Sequence, residues 1–427
     1  LKDVAFGTCT NCRRCTFNCP MGVDTATLNR IMRGLLTRVG VMPEGVRVVS
    51  KDQWEIGNQM GVLQEDYLET LEWMSDEVSE ELEDPTAVIP VDKMDAEIVY
   101  SINPREVKYD PRSIADALKI FHAAGENWTM PSEGWDMTNF GLFSGDDDLG
   151  GAVARRVYEK TVELRGRRLV ISECGHGYRS TRCEGPNWAK FDIPFVMESS
   201  VDTMLRYIRE GRIKVDKTKN PDPVTFHDSC NNARSCGLTE EPRELLRLVC
   251  MYFREMYPNR AENYCCTGGG GAMSMSEYTP RRLKSAKIKA DQLEATGAKT
   301  GALAGRKIVV IDDEPDVCAF LETVFEDNGA EVFTATDGDG GLALVREHKP
   351  DLVTLDLSMP GKDGGKVFAD LRNDEAIAET KVCIVTGKPE LRKLIYERPF
   401  RRPEGYLDKP VDAEKLMLNT RKILEVE

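Results

Sequence analysis

Four cysteines near the N-terminus constrain the fold of this 427-residue chain more than any other feature. They lie in the segment Cys9-Thr-Asn-Cys12-Arg-Arg-Cys15-Thr-Phe-Asn-Cys19-Pro20, which has the pattern C-x2-C-x2-C-x3-C-P. This spacing places three thiolates around one face of a [4Fe–4S] cube, and the fourth binds the other cluster in two-cluster proteins. A structural zinc site normally uses two separated cysteine pairs. We therefore interpret Cys9, Cys12, Cys15 and Cys19, the N-terminal cysteine motif, as iron–sulfur ligands.

The role of the fourth cysteine leaves two alternatives. Cys19 is expected to serve a second cluster, but the chain contains no second run of this kind and starts only eight residues before Cys9. Either an upstream motif precedes Leu1, or a single cluster uses all four cysteines. Arg13 and Arg14 are expected beside the cluster, where they would raise its potential or guide a partner.

Composition narrows the function further. Thirteen cysteines clustered in a chain without secretory features indicate metal binding rather than disulfides. The formal net charge of −15 argues against nucleic-acid binding. Residues 1–50 carry seven cations and three anions, which suits an acidic partner, whereas residues 61–100 carry thirteen acids and one lysine. We interpret the acidic block as a solvated helix face or a mobile connection, with docking to a basic partner as the alternative.

No apolar run approaches the ~18 residues that span a bilayer, so we expect a cytoplasmic protein, or one held at a membrane through a partner subunit.

A second cysteine group comprises Cys230, Cys265 and Cys266. They lie in the segments Phe226-His-Asp-Ser-Cys230-Asn-Asn-Ala-Arg234 and Tyr264-Cys-Cys-Thr-Gly-Gly-Gly-Gly271. Adjacent cysteines do not easily pair as a disulfide, but both can bind a multi-iron cluster. The glycines allow close backbone approach and positive φ angles. The pattern indicates a second cluster site.

The pattern C-x34-CC-T-G-G-G-G resembles the cysteine-rich CCG domain of heterodisulfide reductase catalytic subunits. Residues 1–300 are similar to subunits related to heterodisulfide reductase D. This similarity includes the ferredoxin-type motif ahead of the CCG pattern and the segments Glu173-Cys-Gly-His176 and Glu184-Gly-Pro-Asn-Trp188. That group includes the DsrK-type subunit of sulfate-reducer membrane complexes. The resemblance implies that the second group holds a noncubane [4Fe–4S] cluster that cleaves S–S bonds by electron delivery, with its cysteines as catalytic residues.

The family domain is commonly a tandem of two units, each reading C, then CC, then C-x-x-C. The first unit is degenerate here, because residues 100–143 contain no cysteine and its last pair survives only as Cys174 and His176. The second unit has residues 301–304 where its C-x-x-C is expected. Either two ligands have been lost there, or residues near 300 are missing. Cys174, His176 or Cys236 would then complete the site, and Cys174 is a candidate catalytic residue.

Three further side chains have a structural and a functional interpretation. Cys250 lies in an apolar helix predicted over 245–253 and is expected in the core. Cys183 is assigned either to packing or to the second cluster site. His227 is expected to pack beside the site rather than to bind metal.

After residue 305, five strand-like runs alternate with helical stretches. They are 307–311, 331–336, 352–357, 381–386 and 405–407. This alternation predicts a doubly wound, flavodoxin-like parallel sheet, with its active edge at the strand C-termini. From 86 to 300, strand-like runs such as 168–171 also alternate with helical periods such as 201–208, which predicts α/β layers.

Polar residues end the strands of this C-terminal region. Asp312, Asp313 and Asp356 would converge, which is costly without a cation and implies Mg²⁺. Asp356 is the predicted phosphoryl acceptor, and Thr386 and Lys409 would bind the phosphoryl oxygens. The arrangement closely resembles the CheY-like response-regulator receiver domain; the alternative is a receiver-shaped fold without chemistry.

We therefore expect an α/β multidomain chain. The predicted domains are a helical 4Fe–4S segment at 1–50, a CCG domain at 51–300 and a receiver at 301–427. The first functional hypothesis is an oxidoreductase subunit that passes electrons from a cubane cluster to a noncubane cluster and reduces a disulfide- or trisulfide-type thiol substrate. The alternatives are a redox-responsive signalling protein and a pure electron relay. The family resemblance implies a membrane cytochrome b-type or flavin-bearing partner subunit and a thiol substrate, small proteins included; the receiver implies a histidine kinase.

Overall fold

The computed structural model describes residues 1–172, 174–298, 303, 305–359, 363–388 and 401–424. It divides into two compact units, Leu1–Ala298 and Lys299–Glu427. Glu173 and residues 301, 302 and 304, where the C-x-x-C is expected, lie outside the described residues. Each unit has its own parallel sheet and its own hydrophobic core, so the α/β multidomain prediction is confirmed.

The N-terminal part of the first unit is helical. Its helices span Arg14–Phe17, Thr25–Arg38, Glu44–Glu55 and Gln64–Glu81. The second of these begins after Asp24, whose side chain accepts a hydrogen bond from the Thr27 amide and satisfies a helix-end donor. The acidic block lies largely on Gln64–Glu81, which buries Tyr67 and Leu71 and exposes most of its carboxylates. The interpretation as a solvated helix face therefore holds for this helix.

A four-stranded parallel sheet organises the middle of the unit, in the order β2-β1-β3-β4. The strands are β1 Ile98–Ser101, β2 Trp128–Thr129, β3 Arg168–Ile171 and β4 Val196–Ser199. The surrounding helices are Pro104–Tyr109, Pro111–Ala123, Gly141–Ser144, Asp147–Glu163, Gly175–Tyr178, Gly185–Ala189 and Ser200–Arg209. Aromatic rings fill one side of the sheet, where the Phe121 and Trp128 centroids are 4.6 Å apart. The predicted strand at 168–171 and helix at 201–208 are confirmed.

A smaller parallel pair carries the second cysteine group. Strand β5, Pro223–Thr225, pairs with β6, Tyr252–Arg254, and the helix Glu240–Val249 connects them. The helix Thr279–Glu294 follows the glycine-rich segment. The prediction that helix continues to residue 253 is wrong, because the chain leaves the helix at Cys250 to enter β6. Cys250 is nevertheless buried, as expected of a core residue.

The second unit is a five-stranded parallel sheet in the order β11-β10-β9-β7-β8. Its strands are β7 Lys307–Ile311, β8 Glu331–Ala335, β9 Leu352–Leu355, β10 Lys381–Thr386 and β11 Gly405–Asp408. Described helices span Pro315–Asp327, Gly338–His348, Gly364–Asn373 and Ala413–Leu424. The doubly wound sheet predicted from the sequence is therefore confirmed.

In the part of the chain that the structure describes, no helix combines the length and apolar character needed to cross a membrane.

Candidate functional site

The two cysteine groups predicted from the sequence lie in contact. The Cys265 thiol hydrogen-bonds to Cys12 of the N-terminal cysteine motif and to Cys230 and Cys266 of its own group. These contacts raise the pKa of Cys265 well above its ordinary value, and the hydrogen bond from Cys265 lowers the pKa of each partner. Four sulfur atoms from three chain segments therefore converge, a contact that the sequence did not predict.

The loop that carries Cys9 and Cys12 is bent by unusual backbone angles. Asn11 and Arg13 have φ angles of 53° and 63°, which non-glycine residues seldom adopt. The bend directs the Asn11 amide at Cys9 Sγ, 3.4 Å away. Burial raises the pKa of Cys9, and the neighbouring Cys12 and Cys15 thiols raise it further. Three members of the motif thus lie close enough to interact.

The other two positions of the motif are nearer the surface. Cys15 is exposed within the helix Arg14–Phe17, and Cys19 is half-buried just after it. Phe17 and Met21, on either side of Cys19, are also exposed. This edge is therefore the most accessible side of the motif.

The glycine-rich segment explains how the two groups meet. Gly270 and Gly271 have φ angles of 67° and 77°, so the positive angles expected there are present. A Cβ at Gly270 would lie 2.5 Å from the Thr10 carbonyl, which shows how closely this backbone approaches the N-terminal motif. Thr10 Oγ1 in turn lies 3.2 Å from Cys265 Sγ, and the Thr267 amide donates to the same sulfur at 3.2 Å.

Three arginines hold the backbone around the sulfurs. Arg33 is fully buried and donates to the carbonyls of Cys9, Ala5, Phe143 and Gly270, at 2.5 to 2.8 Å. Arg234 donates to the Cys12 carbonyl at 2.6 Å, and Arg179 to the Asn11 carbonyl at 3.5 Å. Positive charge therefore lies beside the thiolates, where it favours their ionised form.

Sequence reasoning assigns a role to none of these three arginines and selects two others. It predicts Arg13 and Arg14 beside the cluster. In the structure, Arg13 pairs with Asp24 at 3.2 Å, and Arg14 donates to the Asn263 carbonyl at 2.8 Å. Arg234 lies within the Cys230 segment, four residues from the cysteine. Arg33 carries no local signal, because its partners come from distant parts of the chain.

Further polar groups line the second cysteine group. His227 hydrogen-bonds to Cys266 and contributes to lowering the pKa of that thiol, after the larger effect of Cys265. Asp228 is buried against Arg243, with both carboxylate oxygens 2.7 Å from the guanidinium. Lys289 is also buried, and burial lowers its pKa despite the nearby cysteines.

Cys174 lies next to the second group. It begins the short helix Gly175–Tyr178, and its sulfur accepts a hydrogen bond from the Gly177 amide at 3.5 Å. His176 Nδ1 is 3.9 Å from the same sulfur, and His176 Nε2 accepts from the Asn139 amide at 2.9 Å. Burial raises the pKa of Cys174 to about 11 and lowers the pKa of His176 to about 4. A Cβ at Gly175 would lie 2.2 Å from Ser229 Oγ, so Cys174 borders the Cys230 segment.

Cys183 and Cys236 face each other. Their thiols share a hydrogen bond, which lowers the pKa of Cys183 to about 7 and raises that of Cys236. Arg182 also lowers the pKa of Cys183. Both cysteines are half-buried, and both are free thiols.

The donor set fits iron–sulfur clusters better than a single zinc ion. Around one tetrahedral zinc, thiolate sulfurs would lie roughly 3.8 Å apart. Among the described residues, the one group of three potential ligands whose atoms all lie within 4.8 Å is Asp312, Asp313 and Asp356. The cysteine sulfurs are thus spread more widely, as a multi-iron cluster requires.

That carboxylate group lies in the second unit, at the carboxyl edge of its sheet. Asp312 and Asp356 are buried at 1% and 3% exposure, and Asp313 is half-buried. Thr386, fully buried, ends β10, and its carbonyl accepts from the Lys409 amide at 3.0 Å. The donor set is all oxygen and fits Mg²⁺.

A lysine balances these charges. Lys409 Nζ is 2.9 Å from the carboxylates of Asp312 and Asp356 and 2.8 Å from that of Glu314, a residue that sequence reasoning misses. Burial tends to lower the pKa of Lys409, but these hydrogen bonds raise it above its ordinary value. Burial raises the pKa of Asp312, in part offset by Lys409.

Known protein families match two separate parts of the chain. The family model of the response regulator receiver domain matches residues 308–421, and that of the cysteine-rich CCG domain matches residues 224–302. Protein PilH of Pseudomonas aeruginosa is 36% identical over 28% of this chain and 97% of its own length.

Relatives of the remaining chain are iron–sulfur and heterodisulfide reductase subunits. The Hdr-like menaquinol oxidoreductase iron-sulfur subunit 2 of Archaeoglobus fulgidus is 27% identical over 65% of this chain and 56% of its own length. One subunit of the dihydromethanophenazine:CoB–CoM heterodisulfide reductase of Methanosarcina mazei is 26% identical over 63% of each chain. The chain therefore spans just over half the length of these curated relatives.

Proposed function

We propose that this chain reduces S–S bonds as one subunit of an oxidoreductase complex. Its residues 308–421 belong to the response regulator receiver family, and the preceding residues have Hdr-like iron–sulfur subunits as homologues. The N-terminal cysteine motif would hold a cubane [4Fe–4S] cluster, and the second cysteine group would hold a noncubane [4Fe–4S] cluster. Bound together, they would supply electrons to a disulfide- or trisulfide-type thiol substrate at the second cysteine group. The proposed ligands are Cys9, Cys12, Cys15 and Cys19 for the first cluster, and Cys230, Cys265 and Cys266, with Cys236 as a further candidate, for the second.

One observation carries this proposal. Cys12 and Cys265 belong to different motifs, 253 residues apart in sequence, yet their thiols are hydrogen-bonded. Proposed ligands of the two clusters are therefore neighbours in the fold, and Thr10 Oγ1 of the N-terminal motif also lies 3.2 Å from Cys265 Sγ. An electron relay needs such proximity, whereas two unrelated structural sites do not.

The chain's own groups have defined roles in this scheme. The clusters, when bound, supply the electrons that cleave the S–S bond. Arg33 and Arg234 stabilise the thiolate ligands through nearby positive charge. Lys289 Nζ, buried beside the second group, can hold a proton for a departing substrate thiolate. Cys174 is proposed as a catalytic residue at the edge of the same site.

The receiver is proposed to be chemically active. Asp312, Asp313 and Asp356 would hold Mg²⁺, and Asp356 would accept a phosphoryl group from a histidine kinase. Thr386 and Lys409 would then contact the phosphoryl oxygens. To bind the phosphoryl oxygens, Lys409 must give up some of its present hydrogen bonds to carboxylates.

The decisive experiment measures S–S reduction by anaerobically purified protein. With reduced viologen as donor, we expect thiol release from an organic disulfide or trisulfide, with two viologen radicals oxidised per S–S bond. Cys265→Ser should abolish this, and Cys250→Ser, at a buried position away from the site, should not. Absence of thiol release by a protein whose clusters viologen reduces would refute the proposal.

A second candidate function follows from the receiver. A redox-responsive signalling protein would couple cluster oxidation to the phosphorylation of Asp356, and a labelling rate that changes with cluster oxidation would favour it. A pure electron relay would show neither thiol release nor this coupling. In each case we propose a cytoplasmic location, with a membrane cytochrome b-type or flavin-bearing subunit as redox partner. Co-purification of such a subunit with the chain in mild detergent tests the proposed partner.

A further inference from the structure

Asn263 is a buried polar residue that the proposed chemistry does not use. It lies two residues before Cys265 and is 1% exposed. Its Nδ2 donates at 2.6 Å to the carbonyl of Asp228, which lies two residues before Cys230. The same nitrogen donates to the Arg260 carbonyl at 2.9 Å. One side-chain amide therefore ties together the two segments that carry the second cysteine group.

Asn263 also accepts hydrogen bonds from two arginines. Arg14, within the N-terminal cysteine motif, donates from Nη1 to the Asn263 carbonyl at 2.8 Å. Arg234 donates from Nη2 to the same carbonyl and, at 3.2 Å, to Asn263 Oδ1. The Arg234 Nη1 atom donates to the Cys12 carbonyl at 2.6 Å. Asn263 is thus bonded to both of the other segments whose thiols meet at Cys265.

The Asp228 end of this contact is fixed in turn. Arg243 is fully buried on the helix that connects β5 and β6, and its guanidinium donates to both carboxylate oxygens of Asp228, each at 2.7 Å. The Arg260 amide donates to one of these oxygens at 2.6 Å. The carbonyl that Asn263 bonds therefore cannot shift without breaking these bonds. It provides a fixed reference point for the Cys265 segment.

A carboxamide suits this position because one planar group carries both donors and an acceptor. The nitrogen of Asn263 serves two carbonyls, and its oxygen accepts from a guanidinium. Alanine at this position would leave the buried Asp228 carbonyl without this donor, which is unfavourable. The backbone would have to move to supply another partner, and Cys265 would move with it.

We propose that Asn263 is a positioning residue for Cys265, and that it holds this thiol against both Cys12 and Cys230. This inference rests on the part of the proposed function that assigns the cluster ligands, and it does not require that S–S bonds be reduced. Groups that orient a ligand also tune the metal that the ligand binds. Loss of the carboxamide should therefore change the spectrum and the midpoint potential of the second cluster.

The test uses the full chain, purified anaerobically and followed by electron paramagnetic resonance during a redox titration. The signal of the second cluster is the one that Cys265→Ser removes. In Asn263→Ala we expect this signal to keep its intensity per chain but to change in g values and in midpoint potential. The remaining signal should stay as in wild type. Asn263→Ser, which keeps a shorter donor, should give a smaller shift.

Asn259→Ala is the matched control. Asn259 lies four residues before Asn263, and its side-chain amide donates to Glu255 at 3.2 Å rather than to a cysteine-bearing segment. Both signals should match wild type in this variant. Equal shifts in Asn259→Ala and Asn263→Ala would overturn the inference, because they would reflect the loop as a whole.

Three other outcomes decide the question. An unchanged second signal in Asn263→Ala would overturn the inference even if the protein reduces S–S bonds. A shifted signal in a protein that reduces no S–S bond would support it and count against the proposed function alone. If Asn263→Ala loses the second signal outright, Asn263→Ser must retain it with a shifted potential. Loss of both signals together in Asn263→Ser would overturn the inference, because it would show a general structural role.

Discussion

The candidate phosphoryl site and the candidate cluster site are built in opposite ways. In the second unit, Asp312, Asp356 and Thr386 each follow or end a strand of one parallel sheet, so the sheet itself gathers them. In the first unit, Cys12, Cys230 and Cys265 lie in loops. Cys230 and Cys265 are several residues beyond the ends of β5 and β6, and Cys12 comes from a helical part of the chain. Regular structure assembles the phosphoryl site, and tertiary contacts between loops assemble the cluster site.

Charge is also handled differently at the two sites. In the second unit, one lysine bonds directly to the carboxylates of Asp312 and Asp356. The thiols of the first unit are surrounded by arginines that bind backbone carbonyls, Arg33 and Arg234 among them. The lysine thus bonds the carboxylates themselves, whereas the arginines fix the loops that carry the sulfurs. The two sites should respond differently to mutation.

The largest expected effect is at the sheet-built site. Asp356→Asn should abolish labelling by a small phosphodonor with Mg²⁺, because the amide cannot accept the phosphoryl group. Incorporation of radioactive phosphate measures this. Asp374→Asn, at a carboxylate that pairs with Arg346, is the control and should label like wild type. Equal labelling of wild type and Asp356→Asn would mean that the acceptor is elsewhere.

At the loop-built site, one substitution should remove one cluster of two. Cys265→Ser should lower bound iron by about half, from roughly eight to roughly four atoms per chain, because Cys265 contacts every other cysteine of the second group. Iron analysis with electron paramagnetic resonance on anaerobic protein provides the measurement. Cys250→Ser should keep full iron. About four iron atoms in wild type, with an unchanged spectrum in Cys265→Ser, would contradict the two-cluster scheme.

The contrast also explains how far the sequence alone can go. Strand ends in an alternating β/α pattern are local features, so the sequence by itself identifies Asp312, Asp356 and Lys409 as neighbours. Likewise, the spacing of Cys9 and Cys12 reports a local loop. The packing of one loop on another is not encoded in any such local pattern, and it could not be predicted.

Two residues illustrate that limit. The sequence marks Gly270 for backbone freedom, but its contact is with Thr10 of the N-terminal motif rather than with its own group. Arg33 lies in an ordinary helical segment, and only the folded chain shows that it joins four carbonyls from three regions. Partners so distant in sequence leave no pattern around the residue itself.

Arg33 therefore offers a direct test of loop assembly. Arg33→Met should destabilise the first unit by about 3–5 kcal/mol, because four buried carbonyl contacts lose their donor. Arg38→Met, at an exposed position of the same helix, should change stability by less than about 0.5 kcal/mol. All five tryptophans lie in the first unit, so their fluorescence during urea unfolding reports on it alone. Equal stability of both variants would show that the arginine is not structural.

The smallest effect concerns a buried carboxyl whose hydrogen-bond donors are neutral. Asp136 accepts hydrogen bonds from Gln53 at 3.0 Å and from the amides of Gln59 and Thr138 at 2.9 and 2.7 Å, and burial raises its pKa to about 6. Between pH 4 and 6 the folded protein thus binds more protons at Asp136 than the unfolded chain does. The associated stability is complete below about pH 4 and is lost as pH rises through 6.

Asp136→Asn isolates this contribution, because the amide does not titrate. The unfolding free energy of wild type minus that of Asp136→Asn should fall by about 2 kcal/mol between pH 4.5 and 7.5 and level off above that. The amide also changes the hydrogen bonding at this position. The free energy of that change is independent of pH, so it shifts the difference by the same amount at every pH. A difference that rises with pH would mean that the donors around Asp136 outweigh its burial and hold this side chain as a carboxylate.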